Sequence, residues 1–116
     1  MGATLTNTLG KIIIADNVIA CIAGNTATEC YGVVGMASLS AADGIADLLK
    51  RESMAKGVRV SAQNAILVVE MGVIIEYGVS IATVAKNIID NVKFNVELLT
   101  GMQVSKVNVT VKGIRV

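Results

Sequence analysis

ILVVEMGVIIEYGVSIATVAKNIIDNVKFNVELLTG, residues 66–101, runs through both secondary-structure periods in succession. Over 66–77 the odd positions Leu67, Val69, Met71, Val73, Ile75 and Tyr77 are apolar, while the even positions include Glu70, Gly72 and Glu76. A period of two is a strand with one face in a core and the other partly wet. Gly78 breaks the strand, and Ser80 can accept a hydrogen bond from an orphan N–H at the start of a helix. Ile81, Val84, Ala85, Ile88, Val92, Val96 and Leu99 then recur at helical spacing, and Gly101 ends the helix. Beyond it Val107, Val109 and Val111 alternate with Asn108, Thr110 and Lys112, an amphipathic last strand. This half of the chain therefore predicts strand–helix–strand.

Working outward, KIIIA at 11–15 is short and β-branched, which predicts a strand. Asp16 fits an N-cap. Val18, Ile19, Ile22, Ala23, Ala27, Cys30 and Tyr31 follow at helical spacing, and Gly32 stops that helix before Val33 and Val34 resume extended chain. In VRVSA (58–62), Val58, Val60 and Ala62 face one way and Arg59 and Ser61 the other, with Gln63-Asn64 as the turn of a hairpin. Between them, Ile45, Leu48 and Leu49 suggest a short helix that ends at Gly57. Residues 1–9 are Thr-rich and unpatterned, which reads as a loose arm. The order is β-α-β-(α)-β-β-α-β, an α+β class. It implies a single twisted mixed sheet of about five strands with two main helices on one face, and one domain over 10–116. IADNVIACIAG (14–24) and IATVAKNIIDN (81–91) open the two helices alike, and each helix leads to a strand through GVVGM or TGMQV. The echo suggests two βαβ-like halves.

With 116 residues the natural count is one domain. Apolar residues make up 53% and charged residues 16%, against about 25% charged in ordinary globular domains. So charge-poor a surface predicts self-association, hence a homo-oligomer. The net charge of +1 gives no global pull toward nucleic acid or anionic lipid. The apolar-looking run between Asp16 and Glu29 falls short of the roughly 20 residues a membrane helix needs. MGATLTNTLGK has no basic flank followed by an apolar stretch, so the cytoplasm is the expected compartment.

Few residues offer chemistry. The chain lacks histidine, the usual general base and a common metal ligand. Cys21 and Cys30, nine residues apart, would lie on opposite faces of a helix and too far apart for a disulfide. They are expected to be reduced, buried thiols without a base beside them. Glu70 and Glu76 on one strand are about 20 Å apart, too far to share a substrate atom. Asp43 and Asp47 lie one helical turn apart with no third oxygen ligand at helical spacing, so no metal site and no cofactor are assigned. GVVG (32–35) has the form of the GXXG loop with which KH domains clamp nucleotide backbones. That loop joins two helices, whereas this one leaves a helix for a strand, and its two valines favour extended chain. Lys50, Arg51, Lys56 and Arg59 gather four of the ten basic residues into ten positions, a candidate partner surface beside Leu48, Leu49 and Met54. A KH-like RNA-binding module using Gly32–Gly35 and this cluster is the alternative reading. With two Tyr, one Phe and no Trp, an aromatic base-stacking platform is not available, and nucleic acid is the less favoured partner.

GKIIIADNVIACIAG, ECYGVVGMAS, DGIADLLKRESMAKGVRV, the strand ending in Glu76-Tyr77-Gly78, and VNVTVKGIRV stand in an order and spacing similar to those of the alkaline shock proteins of Gram-positive bacteria, also called envelope stress response proteins. The similarity runs from about residue 10 to the C-terminus and is greatest to the short members without an added tail. The resemblance implies a non-enzymatic cytosolic protein of the envelope stress response or of lipid and cell-envelope homeostasis. It would act by self-association and docking on a partner. It implies a membrane anchor protein or a fatty-acid-kinase-like protein as that partner, and a place at the inner face of the membrane. It supplies no catalytic residues.

Overall fold

The computed structural model describes residues 2–39, 57–63 and 65–116. The expected short helix within 38–57 falls almost wholly outside them. Among the described residues the order is β1 (Ala3–Asn7), β2 (Gly10–Ile14), α1 (Asp16–Thr28), β3 (Val33–Ala37), β4 (Val58–Gln63), β5 (Ile66–Glu76), α2 (Ile81–Thr100) and β6 (Gln103–Arg115). The class is α+β, as the periodicities predict. Among the described residues the strands form two sheets rather than one: β1 pairs with β2, and β3 to β6 form a mixed sheet.

β5 is the axis of the main sheet. β6 runs parallel to it from Ile66↔Gln103 to Glu76↔Arg115. On its other edge β4 pairs antiparallel with residues 66–71, and β3 pairs antiparallel along 72–75. β3 and β4 therefore lie end to end along one edge of β5. The junction is tight. A Cβ on Gly72 would sit 2.9 Å from the Ala37 carbonyl oxygen, and one on Gly57 2.8 Å from the same atom. Real Cβ contacts do not come so close, so glycine is required where the two strands abut.

Leu67, Val69, Met71, Val73 and Ile75 are fully buried, and both helices lie over this face. α2 contributes Val84, Ile88, Val92 and Val96, one residue per turn. Its ends follow the expectation: Ser80 Oγ accepts from the Thr83 N–H at 3.4 Å, and Gly101 closes the helix in the left-handed region at φ 74. The two ends of the predicted stripe, Ile81 and Leu99, stay exposed. α1 buries mostly small residues, Ala20, Ala23, Gly24 and Ala27, around the larger Ile19, which lets its backbone approach the sheet and α2 closely.

Four expectations are corrected. The arm of residues 1–9 contains β1, turned back onto β2 by Asn7, whose Oδ1 accepts from the N–H groups of Leu9 and Gly10. Asp16 is the first helical residue, not the N-cap. Ala15 holds that place with no side-chain cap, and Asp16 Oδ1 is buried with no hydrogen-bond partner among the described residues. α1 ends at Thr28, short of Gly32, because Glu29, Cys30 and Tyr31 turn the chain; Gly32 itself adopts φ 87. The echo between halves stops at the helices: α2 links the parallel neighbours β5 and β6, whereas α1 links strands of different sheets.

Candidate functional site

The predicted basic surface is only partly on view. Lys50, Arg51 and Lys56 lie outside the described residues, as do Asp43 and Asp47. Arg59 is on β4, directly opposite Glu70 on β5, with Nη1 3.9 Å from Oε1 and both side chains well exposed. A long, solvated ion pair of this kind contributes about 0–1 kcal/mol. It belongs to the outward face of the sheet, where it accompanies Lys106, Asn108 and Thr110 of β6.

GVVG is a structural device. Gly32 takes the left-handed φ that turns the chain out of α1, and a Cβ there would come 2.8 Å from Val84 of α2. Val33, Val34 and Gly35 are already in β3, with Gly35 buried against the sheet. The segment joins a helix to a strand instead of two helices, and the Val33 N–H donates to the Cys30 carbonyl oxygen at 3.3 Å. Nothing in this geometry favours the KH-like alternative. The two thiols are unpaired. Cys21 is exposed rather than buried, because α1 turns it away from the sheet. Cys30 is half-buried just past the helix, where its Sγ lies 3.5 Å from the Thr26 carbonyl oxygen and accepts from Asn91 Nδ2 at 3.5 Å. Among the described residues no three His, Cys, Asp or Glu side chains converge as a metal site would need.

The helices run antiparallel, so the start of α1 lies beside the end of α2. Asn95 Nδ2 donates to Thr26 Oγ1 at 3.1 Å, one turn from the Asn91–Cys30 contact. Cys21 and Ile22 of α1 meet Leu99 of α2 across an open groove of about 280 Å³, with Asn25, Thr26, Glu29 and Asn95 completing its walls. The walls carry the Cys21 thiol and the Glu29 carboxylate beside amide, hydroxyl and aliphatic groups.

Sequence reasoning missed the apolar character of this end of the molecule. Leu5 of β1 reaches within 3.6 Å of where a Gly101 Cβ would be, which sets the hairpin against the turn after α2. Leu9 at the hairpin tip is 96% exposed, Ile12 55% and Ile13 65%. Leu98 and Leu99 in the last turn of α2 are each 66% exposed, and Val18 in the first turn of α1 is half-exposed. The signal was present in the residues: Asn7 and Gly10 bracket a two-residue turn between β-rich segments.

A sequence profile of the alkaline shock protein family, described as having a cell envelope-related function, matches residues 4–116. The chain belongs to the alkaline shock protein family. It is also similar to curated bacterial proteins. The uncharacterized protein YloU of Bacillus subtilis is 38% identical over 117 residues, covering all of this chain and 98% of that protein. The uncharacterized protein Spy1614 of Streptococcus pyogenes is 45% identical over 108 residues, 92% of this chain and 89% of that one. The uncharacterized protein YqhY of Bacillus subtilis is 30% identical over 107 residues, 92% of this chain and 78% of that one. No solved structure matches. The expected kinship thus holds, and the family match assigns a function related to the cell envelope. Among the described residues no helix is long and apolar enough to cross a membrane.

Proposed function

We propose that this alkaline shock family chain is a non-enzymatic structural or adaptor protein of the cell envelope, working in the cytoplasm by self-association and by docking on a partner. The observation that carries the reading is the exposed aliphatic end formed by the hairpin tip, the start of α1 and the end of α2. Large apolar side chains clustered at one end of a domain are a mark of an interaction surface. The low charge content supports the same reading. The partner is a membrane anchor protein or a fatty-acid-kinase-like protein, through which the chain sits at the inner face of the membrane.

Crosslinking in the protein's own cells, followed by identification of the attached peptides, tests this. The expected result is crosslinks between copies and to one membrane-associated or lipid-metabolic protein, reduced when Leu98 and Leu99 are both changed to Ser. Recovery of the chain free of any attached protein, in cells where a known complex crosslinks well, would count against it.

A further inference from the structure

A two-stranded hairpin is marginally stable alone in water, and β1–β2 is a sheet of its own. Its two strands are not equivalent. β1 leans on the body through buried Ala3 and half-buried Leu5, while Gly10 to Ile13 of β2 are all exposed. β2 reads GKIII: three β-branched residues, one charge and no proline. Among the described residues no strand pairs with its outer edge. A β-branched edge strand with free N–H and C=O groups is a template for another strand.

We propose that β2 pairs antiparallel with β2 of a second copy of this chain about a two-fold axis, giving a four-stranded sheet β1–β2–β2–β1. The proposal rests on the self-association reading above and names its surface. Symmetry narrows the register. With the axis perpendicular to the sheet, some residue must face its own copy, because opposed side chains share a face and neighbours along a strand do not. Centring on Ile12 pairs all five residues of β2 and sets Lys11 opposite Ile13 of the other copy. Centring on Lys11 would oppose two lysines, which is unfavourable. Centring on Ile13 leaves Gly10 and Lys11 without partners inside the strand.

The surroundings fit a second copy. Leu9, Ile12, Val18, Leu98 and Leu99 lie at this end and together expose on the order of 600 Å², an upper limit on what a second copy could cover there against the ~800 Å² each partner gives to a standard-size interface; Ile13 is on the other face of the hairpin. The same patch on both copies makes a closed, isologous contact.

The test is sedimentation velocity of the full chain over micromolar concentrations, with circular dichroism melting on every variant. The native chain is expected to show a monomer–dimer equilibrium. Ile13→Lys alters an exposed side chain, so its melt should stay native. It would place two pairs of like charges across the axis and weaken association by on the order of tenfold or more. Ile12→Cys should form a 12-to-12 interchain disulfide on mild oxidation, identified by peptide mass, and far more readily than Lys11→Cys. A native-like association constant for Ile13→Lys, or equal crosslinking at 11 and 12, overturns the β2 pairing while self-association stands. A native chain that stays monomeric throughout overturns both.

Discussion

The two helices open with similar sequences and end in different structural settings. α2 lies between parallel neighbours, with β5 and β6 both beneath the core and a buried aliphatic at each turn. α1 joins a peripheral hairpin to the short strand β3, and it buries alanine and glycine where α2 buries valine and isoleucine. A helix sequence therefore does not specify a βαβ unit. What specifies it is whether the preceding strand is long and apolar enough on one face to join the central sheet. β5 has eleven residues with one unbroken apolar face. β2 has five, and pairs with its own neighbour in sequence instead.

The comparison predicts unequal costs. Ile88→Ala, beneath the middle of α2, removes a fully buried side chain and is expected to cost about 2–5 kcal/mol in urea unfolding. A cost under about 1 kcal/mol would mean that α2 is not the main contributor to the core. Gly32→Ala joins the halves in one test. It demands a left-handed residue with a Cβ 2.8 Å from Val84, and should cost about 1–3 kcal/mol. Gly78→Ala, equally left-handed at φ 100 but with open space around it, should cost less, so the difference reads the clash alone.

The helix starts give a finer contrast. Ser80→Ala deletes a cap and should cost about 1 kcal/mol. Asp16→Ala should change stability by less than about 0.5 kcal/mol, because its favourable place in the first turn is offset by an oxygen buried without a partner. A larger loss on Asp16→Ala would reveal that the carboxylate is engaged. Smallest of all, Arg59→Ala should shift stability by at most about 0.5 kcal/mol, since the pair with Glu70 is long and solvated.

The β5–α2–β6 half was legible because each element repeats its period over many residues and is bounded by Ser80 and Gly101. The first half was not, for reasons of scale. Five-residue strands carry too few alternations to separate from a loop; in β1 only Ala3 and Leu5 alternate with Thr4 and Thr6. The start of α1 lies one residue before the place Asp16 suggests, and its last residue, Thr28, falls well short of Gly32. A capping residue type marks a region better than a position. The candidate surface was predicted from charge, at Lys50, Arg51, Lys56 and Arg59. The exposed aliphatics of the hairpin and the end of α2 went unread, since an apolar residue in sequence looks the same whether it faces the core or the solvent.

The abutment of β3 and β4 has a consequence for how such chains can diverge. Ala37 pairs with Gly72 and Val58 with Met71, consecutive residues of β5, so the end of β3 and the start of β4 sit side by side. Residues inserted between the two strand ends leave both registers on β5 as they are, whereas one residue inserted inside either strand turns its side chains to the other face. Divergence in length is tolerated between the strands and penalised within them.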